Sequence, residues 1–291
     1  MTSLADDYRA CDGVLRAAGS SFALPIRLLP AAKRRGTTAL YAFCRRADDI
    51  VDDSADVDAA RLALDAFEAE AMQALAGAAG TDPVLRALAD TVRRFAVPAA
   101  CVHDILDGVR MDLTRHAYDT WAELETYCRR VATAVGLAAL HVWRFTDPAA
   151  LSLAHDCGMA FQLTNILRDI PEDLARGRVY LPHDELQDCG CSADDLRAGR
   201  IGPGFAVLAA RMTGRAEGHF SRAMALDGML STDGRLAWRA MFGVYASLFR
   251  AVRRAGPRIF TDRVRPARAA AFAAAAATVL FGPRRLPWRL S

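Results

Sequence analysis

The 291 residues are 53% hydrophobic and 24% charged, enough for one large core or two smaller ones, which excludes a disordered or fibrous chain. A net charge of +3 is too small to argue for a nucleic-acid partner. Seven scattered cysteines without a C-x-x-C pair argue against a zinc site and against a disulfide framework, and so for a reducing cytoplasm.

In chain order, Met1 to Arg9 carries Asp6 and Asp7 and lacks the pattern of a secretory leader. Residues 4–18 read as a helix with Leu4, Tyr8, Cys11 and Leu15 on one face. Gly19-Ser20-Ser21-Phe22 is a break, whose hydroxyls and backbone N–H groups suit either a phosphate or a plain helix cap. Leu28-Leu29-Pro30 closes a short segment, and residues 31–53 form the next helix. Helices follow at 58–77, 83–95 and 98–113, the last with Asp104, Asp107, Met111 and Asp112; for Asp104, Asp107 and Met111, which share a face, a solvated face is the default reading. Residues 120–144 are long and apolar, with Ala132 and Gly136 spaced for close approach of a helix or ligand. Residues 147–173 make another helix, followed at once by Arg176-Gly-Arg178-Val-Tyr180-Leu-Pro182. Residues 184–202 are a polar connection with a short helix, and 203–230 and 232–254 are long helices. The apolar run from Ala269 to Gly282 is short for a membrane span and reads as a buried terminal helix. Strand-like alternation is rare, and no composition shift marks a boundary, so the expectation is a single all-α domain over 1–291.

Two helices carry the chemistry. On the first, Tyr41, Arg45, Asp48 and Asp52 recur at helical spacing, with Asp49 and Asp53 rotated by about 100°. On the second, Gln162, Asn165, Asp169 and Asp173 do the same. Each is a polar seam among apolar neighbours, and carboxylates crowded on one seam repel one another unless a cation lies between them. Mg²⁺, a hard ion that binds through carboxylates, waters and substrate phosphates, fits such a pair of acidic walls. A polyphosphate held by the ions, arginines for its oxygens and an apolar aromatic surround together suit Mg²⁺-assisted ionisation of an allylic diphosphate, with ring faces stabilising the carbocation. The six histidines are dispersed, no Gly-rich phosphate loop or Ser-His-Asp set competes, and the Glu-x-x-His pairs of a di-iron bundle are missing.

These stretches, with Arg27-Leu-Leu-Pro30 and Tyr127 to Gly136, resemble the squalene/phytoene synthase family over nearly the whole chain. The resemblance implies the all-α isoprenoid synthase fold, with a central cavity between two aspartate-rich helices. It implies Mg²⁺ ligands at Asp48, Asp49, Asp52, Asn165, Asp169 and Asp173, with Mn²⁺ as a substitute. It implies diphosphate contacts at Arg45, Gln162, Arg168 and Arg178, a late arginine at Arg265 or Arg263, and substrate contacts at Ser20, Ser21, Phe22, Val131 and Gly136. Tyr41, Tyr127 and Tyr245 resemble the cavity tyrosines near the reacting carbons. The implied reaction is head-to-head (1′-1) condensation of two prenyl diphosphates, ending in presqualene diphosphate, in squalene if NADPH supplies hydride, or in a phytoene-type product after proton loss. The Asn-Ile-Leu-Arg-Asp and Leu-Leu-Pro segments look closer to bacterial squalene-branch members, which points to farnesyl diphosphate. The alternatives are a phytoene synthase using geranylgeranyl diphosphate or a dehydrosqualene synthase, and, remotely, a non-catalytic assembly protein of the same fold. The expected setting is cytoplasmic, with peripheral membrane contact through the Arg-rich tail of Arg284, Arg285, Trp288 and Arg289.

Overall fold

The computed structural model describes residues 3–20, 22–54, 56–78, 80–260, 264 and 266–285. Fifteen α-helices are described: α1 Leu4–Ala17, α2 Ala23–Arg27, α3 Ala31–Asp52, α4 Val57–Leu75, α5 Pro83–Phe95, α6 Ala99–Thr114, α7 Trp121–Cys128, α8 Ala134–Trp143, α9 Ala150–Arg168, α10 Ile170–Ala175, α11 His183–Asp188, α12 Ala193–Arg197, α13 Pro203–Ala223, α14 Thr232–Ala255 and α15 Arg268–Phe281. Among the described residues there is no strand, only two isolated bridges, Ala117 with Val179 and Phe145 with Leu230.

Local chemistry sets the helix ends. Ser3 and Asp6 form a reciprocal capping box on α1. The Asp82 carboxylate accepts from the N–H groups of Val84 and Leu85 ahead of Pro83 in the first turn of α5, a position where a missing N–H costs nothing. Asp56 and Thr120 cap α4 and α7 in the same way.

The chain divides into two compact units, each assembled from three stretches. The first comprises the described residues of Met1–Thr114, Ala134–Leu151 and Gly228–Trp238. Its centre is α3, packed against α1, α4, α5, α6 and α8. Ala39, Ala42, Phe43 and Ala47 are buried on that helix, and Phe43 stacks on Phe67 of α4 at 5.5 Å between ring centroids. Gly36 lets α3 sit close to α5 and α8, since a Cβ there would lie 2.9 Å from Phe95 and 3.2 Å from Val142. Lys33, the single lysine, ties three stretches together by donating to the Trp143 carbonyl (2.7 Å), Ser231 Oγ (3.0 Å) and Asp233 Oδ1 (2.6 Å).

The second unit comprises the described residues of Arg115–Thr133, Ser152–Asp227 and Arg239–Ser291. Its aromatic core joins α9, α13 and α14 through Phe161, Phe220, Phe242, Tyr245 and Phe249.

Four expectations change. The long apolar segment 120–144 is not one helix, because residues Arg129–Thr133 form a π-helical turn between α7 and α8. Gly158 of α9 makes a close approach of its own: a Cβ there would stand 2.8 Å from the Thr133 backbone nitrogen. The second acidic helix ends at Arg168 and restarts at Ile170, because Pro171 has no N–H to give and its ring would strike the Leu167 carbonyl. The terminal helix α15 is buried only along Ala274, Ala275 and Thr278, while Phe272, Leu280 and Phe281 are 60%, 71% and 61% exposed. Leu4 likewise lies outside the core that Tyr8, Cys11 and Leu15 enter.

Candidate active site

In the first unit, α3 places Tyr41, Arg45, Asp48 and Asp52 along one side of the helix whose other side is core. Arg45 is ion-paired with Asp49 one turn on, at 2.5 Å, and that partner holds its guanidinium above the ordinary range. Burial by surrounding protein, then the like charges of Asp112 and Asp52, push the Asp48 carboxyl up to about 7, with Arg45 opposing. Asp48 is nevertheless exposed to solvent, so protein mass surrounds the carboxyl without packing it into the core, and the push on it is upward. Asp112, on α6, is the strongest like charge acting on Asp48, and the packing of α6 on α3 that brings it there is a relation no spacing within either helix reveals. Asp107 does follow the default, pairing with Arg110, which also holds Asp65 and Glu68. Phe22 lies beside Tyr41, with ring centroids 6.1 Å apart. The Ser20 hydroxyl accepts from the Phe22 N–H at 3.2 Å, a local turn ahead of α2 rather than a helix cap. Gly136 belongs to this unit, on α8. Ser21, Arg263 and Arg265 lie outside the described residues.

In the second unit, α9 carries Gln162, Asn165 and Arg168, and the bend after it carries Asp169. The seam survives the bend in part: the Asp173 N–H still donates to the Asp169 carbonyl at 2.9 Å. Arg168 grips Asp169 through Nε and Nη2, a bidentate pair. Gly177, at φ +75°, turns the chain so that the Arg178 N–H donates to the Asp173 carbonyl at 2.8 Å. Asp173 and Arg178 then share the lining of a small recess with Ile166, Ile170, Tyr180 and Leu196.

Aromatic rings dominate the remainder of this unit's site. Tyr127 packs against Tyr118 and Tyr180 with centroids 5.4 and 5.1 Å away, and its hydroxyl donates to that of Tyr180 at 3.4 Å. Tyr118 and Tyr180 went unmarked in the sequence as ring partners, since they come from loops far apart in the chain. Tyr245 stacks on Phe161 at 3.9 Å and 8°. Burial raises its hydroxyl above the ordinary value, against a hydrogen bond from Asn165. Val131 falls within the π-helical turn. The histidines include one close pair, His155 and His219, with rings 5.9 Å apart and bonded to Glu125 and Asp156.

Two observations test the fit of Mg²⁺. The amide oxygen of Asn165 is buried with no hydrogen-bond partner, an oxygen donor awaiting an electrophile. Asp48 sits among like charges that a divalent cation would neutralise. Among the described residues, no three acidic, histidine or cysteine side chains form a ready cage. Mg²⁺ held by one or two carboxylates, waters and phosphate oxygens needs none. The residues therefore fit the ion.

A helical protein with oxygen-only acidic clusters, neighbouring arginines and stacked tyrosines belongs to the class that handles diphosphates of hydrocarbon alcohols. The sequence model of the squalene/phytoene synthase family matches residues 15–270. A phytoene synthase of Mycobacterium bovis is 35% identical, with 99% of this chain and 96% of the relative aligned. A 15-cis-phytoene synthase of Synechococcus elongatus is 34% identical over 90% of this chain and 89% of its own. A crystal structure of a dehydrosqualene synthase superposes with a TM-score of 0.85 at 29% identity, covering 94% of this chain and 95% of its own. The chain belongs to the squalene/phytoene synthase family, has the isoprenoid synthase fold, and is a prenyltransferase acting on prenyl diphosphates.

Proposed function

We propose that this protein is a phytoene synthase, joining two molecules of geranylgeranyl diphosphate head to head. The observation that carries the choice is the 35% identity to a phytoene synthase along almost the whole of both chains. It outweighs the lean toward farnesyl diphosphate taken from the Asn-Ile-Leu-Arg-Asp segment, a short motif beside a full-length relation.

Mg²⁺, when bound, would neutralise charge on the diphosphate oxygens and so ease departure of the leaving group. The residues that would offer it oxygen donors are Asp48, Asp49 and Asp52 on α3, and Asn165, Asp169 and Asp173 along α9, the bend after it and α10. Arg168 and Arg178, with Gln162, supply hydrogen bonds to phosphate oxygens. Arg45 exchanges its Asp49 partner for substrate phosphate. The C1–O bond of one substrate breaks, and the 2,3 double bond of the other attacks the allylic cation. Loss of a proton closes a cyclopropylcarbinyl diphosphate. A second ionisation, rearrangement and proton loss give the C40 hydrocarbon, with two diphosphates released. The faces of Tyr41, Tyr127 and the Tyr245–Phe161 stack stabilise positive charge along this path. Because the sequence ends in proton loss, NADPH is not consumed.

A second reading, a C30 product from farnesyl diphosphate, draws on the likeness to the dehydrosqualene synthase. The test is incubation of the protein and Mg²⁺ with each diphosphate, with and without NADPH, followed by product identification. A C40 hydrocarbon independent of NADPH supports the proposal. A C30 product formed in preference overturns it.

A further inference from the structure

The helix α15 is apolar on every side. From Ala269 to Phe281 its only polar side chain is Thr278, which is buried and donates back to the Ala274 carbonyl at 2.7 Å. Its inner stripe is seated closely on α14, where a Cβ at Gly243 would stand 2.6 Å from the Ala274 carbonyl oxygen and 2.8 Å from Ala275 Cα. Arg239 donates to the Val279 carbonyl at 3.1 Å and pins the far end. The seating leaves Phe272 and Leu280, two turns apart, on the opposite face, with Phe281 beside them, all more than half exposed. A helix apolar all round belongs in a core or against a lipid phase, and among the described residues this outer face stays exposed.

The charge pattern selects the occupant. Residues 250–291 contain ten arginines against the single acid Asp262, a net of +9, so a whole-chain charge of +3 leaves −6 on all the rest. Among the described arginines of that stretch, Arg254, Arg258, Arg268 and Arg284 are exposed, the last two flanking α15 on either side. An apolar face between exposed arginines matches the acyl boundary and the anionic headgroups of a lipid bilayer. A second copy of the chain would have to bring the same +9 against itself. At 14 residues the helix is about 21 Å long, short of the ~30 Å hydrocarbon core, so it lies on the surface rather than across it. Among the described residues no helix is long and apolar enough to cross a membrane.

We propose that α15 is a membrane-docking helix: Phe272, Leu280 and Phe281 enter the interface of an anionic bilayer while Arg268 and Arg284 meet its headgroups. The test is flotation of the full-length protein with phosphatidylcholine vesicles, with and without 30% phosphatidylglycerol, beside the variant F272E/L280E. Both substituted side chains are exposed, and far-UV circular dichroism checks that the variant folds. The expected result is binding to the anionic vesicles, weakened by 0.5 M salt, and a vesicle-bound fraction about tenfold lower or less in the variant. Activity in detergent micelles stays unchanged in that variant, whereas turnover of vesicle-embedded substrate falls. Absence of binding, or equal binding by the variant, overturns the proposal. So does binding that appears only after removal of residues 286–291, because the chain's own end then covers the face. A dimer in solution that F272E/L280E splits, without vesicle binding, also overturns it in favour of a second copy.

Discussion

Replacing Asp48 by Asn should remove activity yet make the metal-free protein more stable at alkaline pH. Surrounding protein, then the charges of Asp112 and Asp52, push this carboxyl up to about 7 in the native state, against 3.8 for a free one. Between those values the native state binds more protons than the unfolded one, so stability falls as pH rises through the window. A fully screened-off group would lose about 4 kcal/mol over that span, at ~1.36 kcal/mol per pH unit. Asp48 retains accessible surface, and solvent screening reduces the effect to about 1 kcal/mol. For a chain of this size that corresponds to a Tm change of ~3 °C. The assay is thermal unfolding in EDTA at pH 4 and pH 8. D48N should melt about 3 °C above the wild type at pH 8 and with it at pH 4. Saturating Mg²⁺ with inorganic diphosphate should reverse the order at pH 8, since ligand at 100 times its Kd adds ~2.7 kcal/mol to the protein that binds it. A D48N protein less stable than the wild type in EDTA at pH 8 would refute the reasoning.

D48N and D173N should each lower turnover by about three orders of magnitude at unchanged circular dichroism, since each deletes an oxygen donor for the metal. Retained activity in both would sink the assignment of the acidic clusters. Gly158→Ala places a methyl against the Thr133 backbone and should cost ~2 kcal/mol of stability, read as a lower urea midpoint; a neutral result would mean that the π-helical turn yields freely. Lys33→Met strips donors from the Trp143 carbonyl, Ser231 and Asp233 and should cost about 2 kcal/mol, measured in the same titration.

Much of this architecture is written locally. The acidic residues of α3 were legible because charged side chains at spacings of three and four interrupt an otherwise apolar helix, and Asn165 and Asp169 because their neighbours are core residues. The break after Arg168 was also written, in Pro171, but the regular spacing of the seam hid it. Other features depend on contacts between distant stretches. Asp112 gains its meaning only when α6 packs on α3, and Tyr118 and Tyr180 only when two loops meet around Tyr127. The π-helical turn has no sequence period of its own, and its last residue, Thr133, lies against Gly158, a contact between stretches distant in the chain. The exposed face of α15 carries the same alanines and phenylalanine as a buried one would, so composition could not tell them apart. Substrate chain length has no local signature at all, and a short motif pointed toward farnesyl diphosphate where the full-length relation supports the longer substrate.

The central claim is that the carboxylate clusters assist two successive diphosphate departures for each product made. The most direct measurement is the stoichiometry of inorganic diphosphate released per C40 hydrocarbon formed from geranylgeranyl diphosphate, followed in EDTA and after addition of Mg²⁺. The account predicts two diphosphates per hydrocarbon, no turnover in EDTA and full recovery with the metal. Hydrocarbon formation at an undiminished rate in EDTA, or diphosphate release with no C40 product, would contradict it.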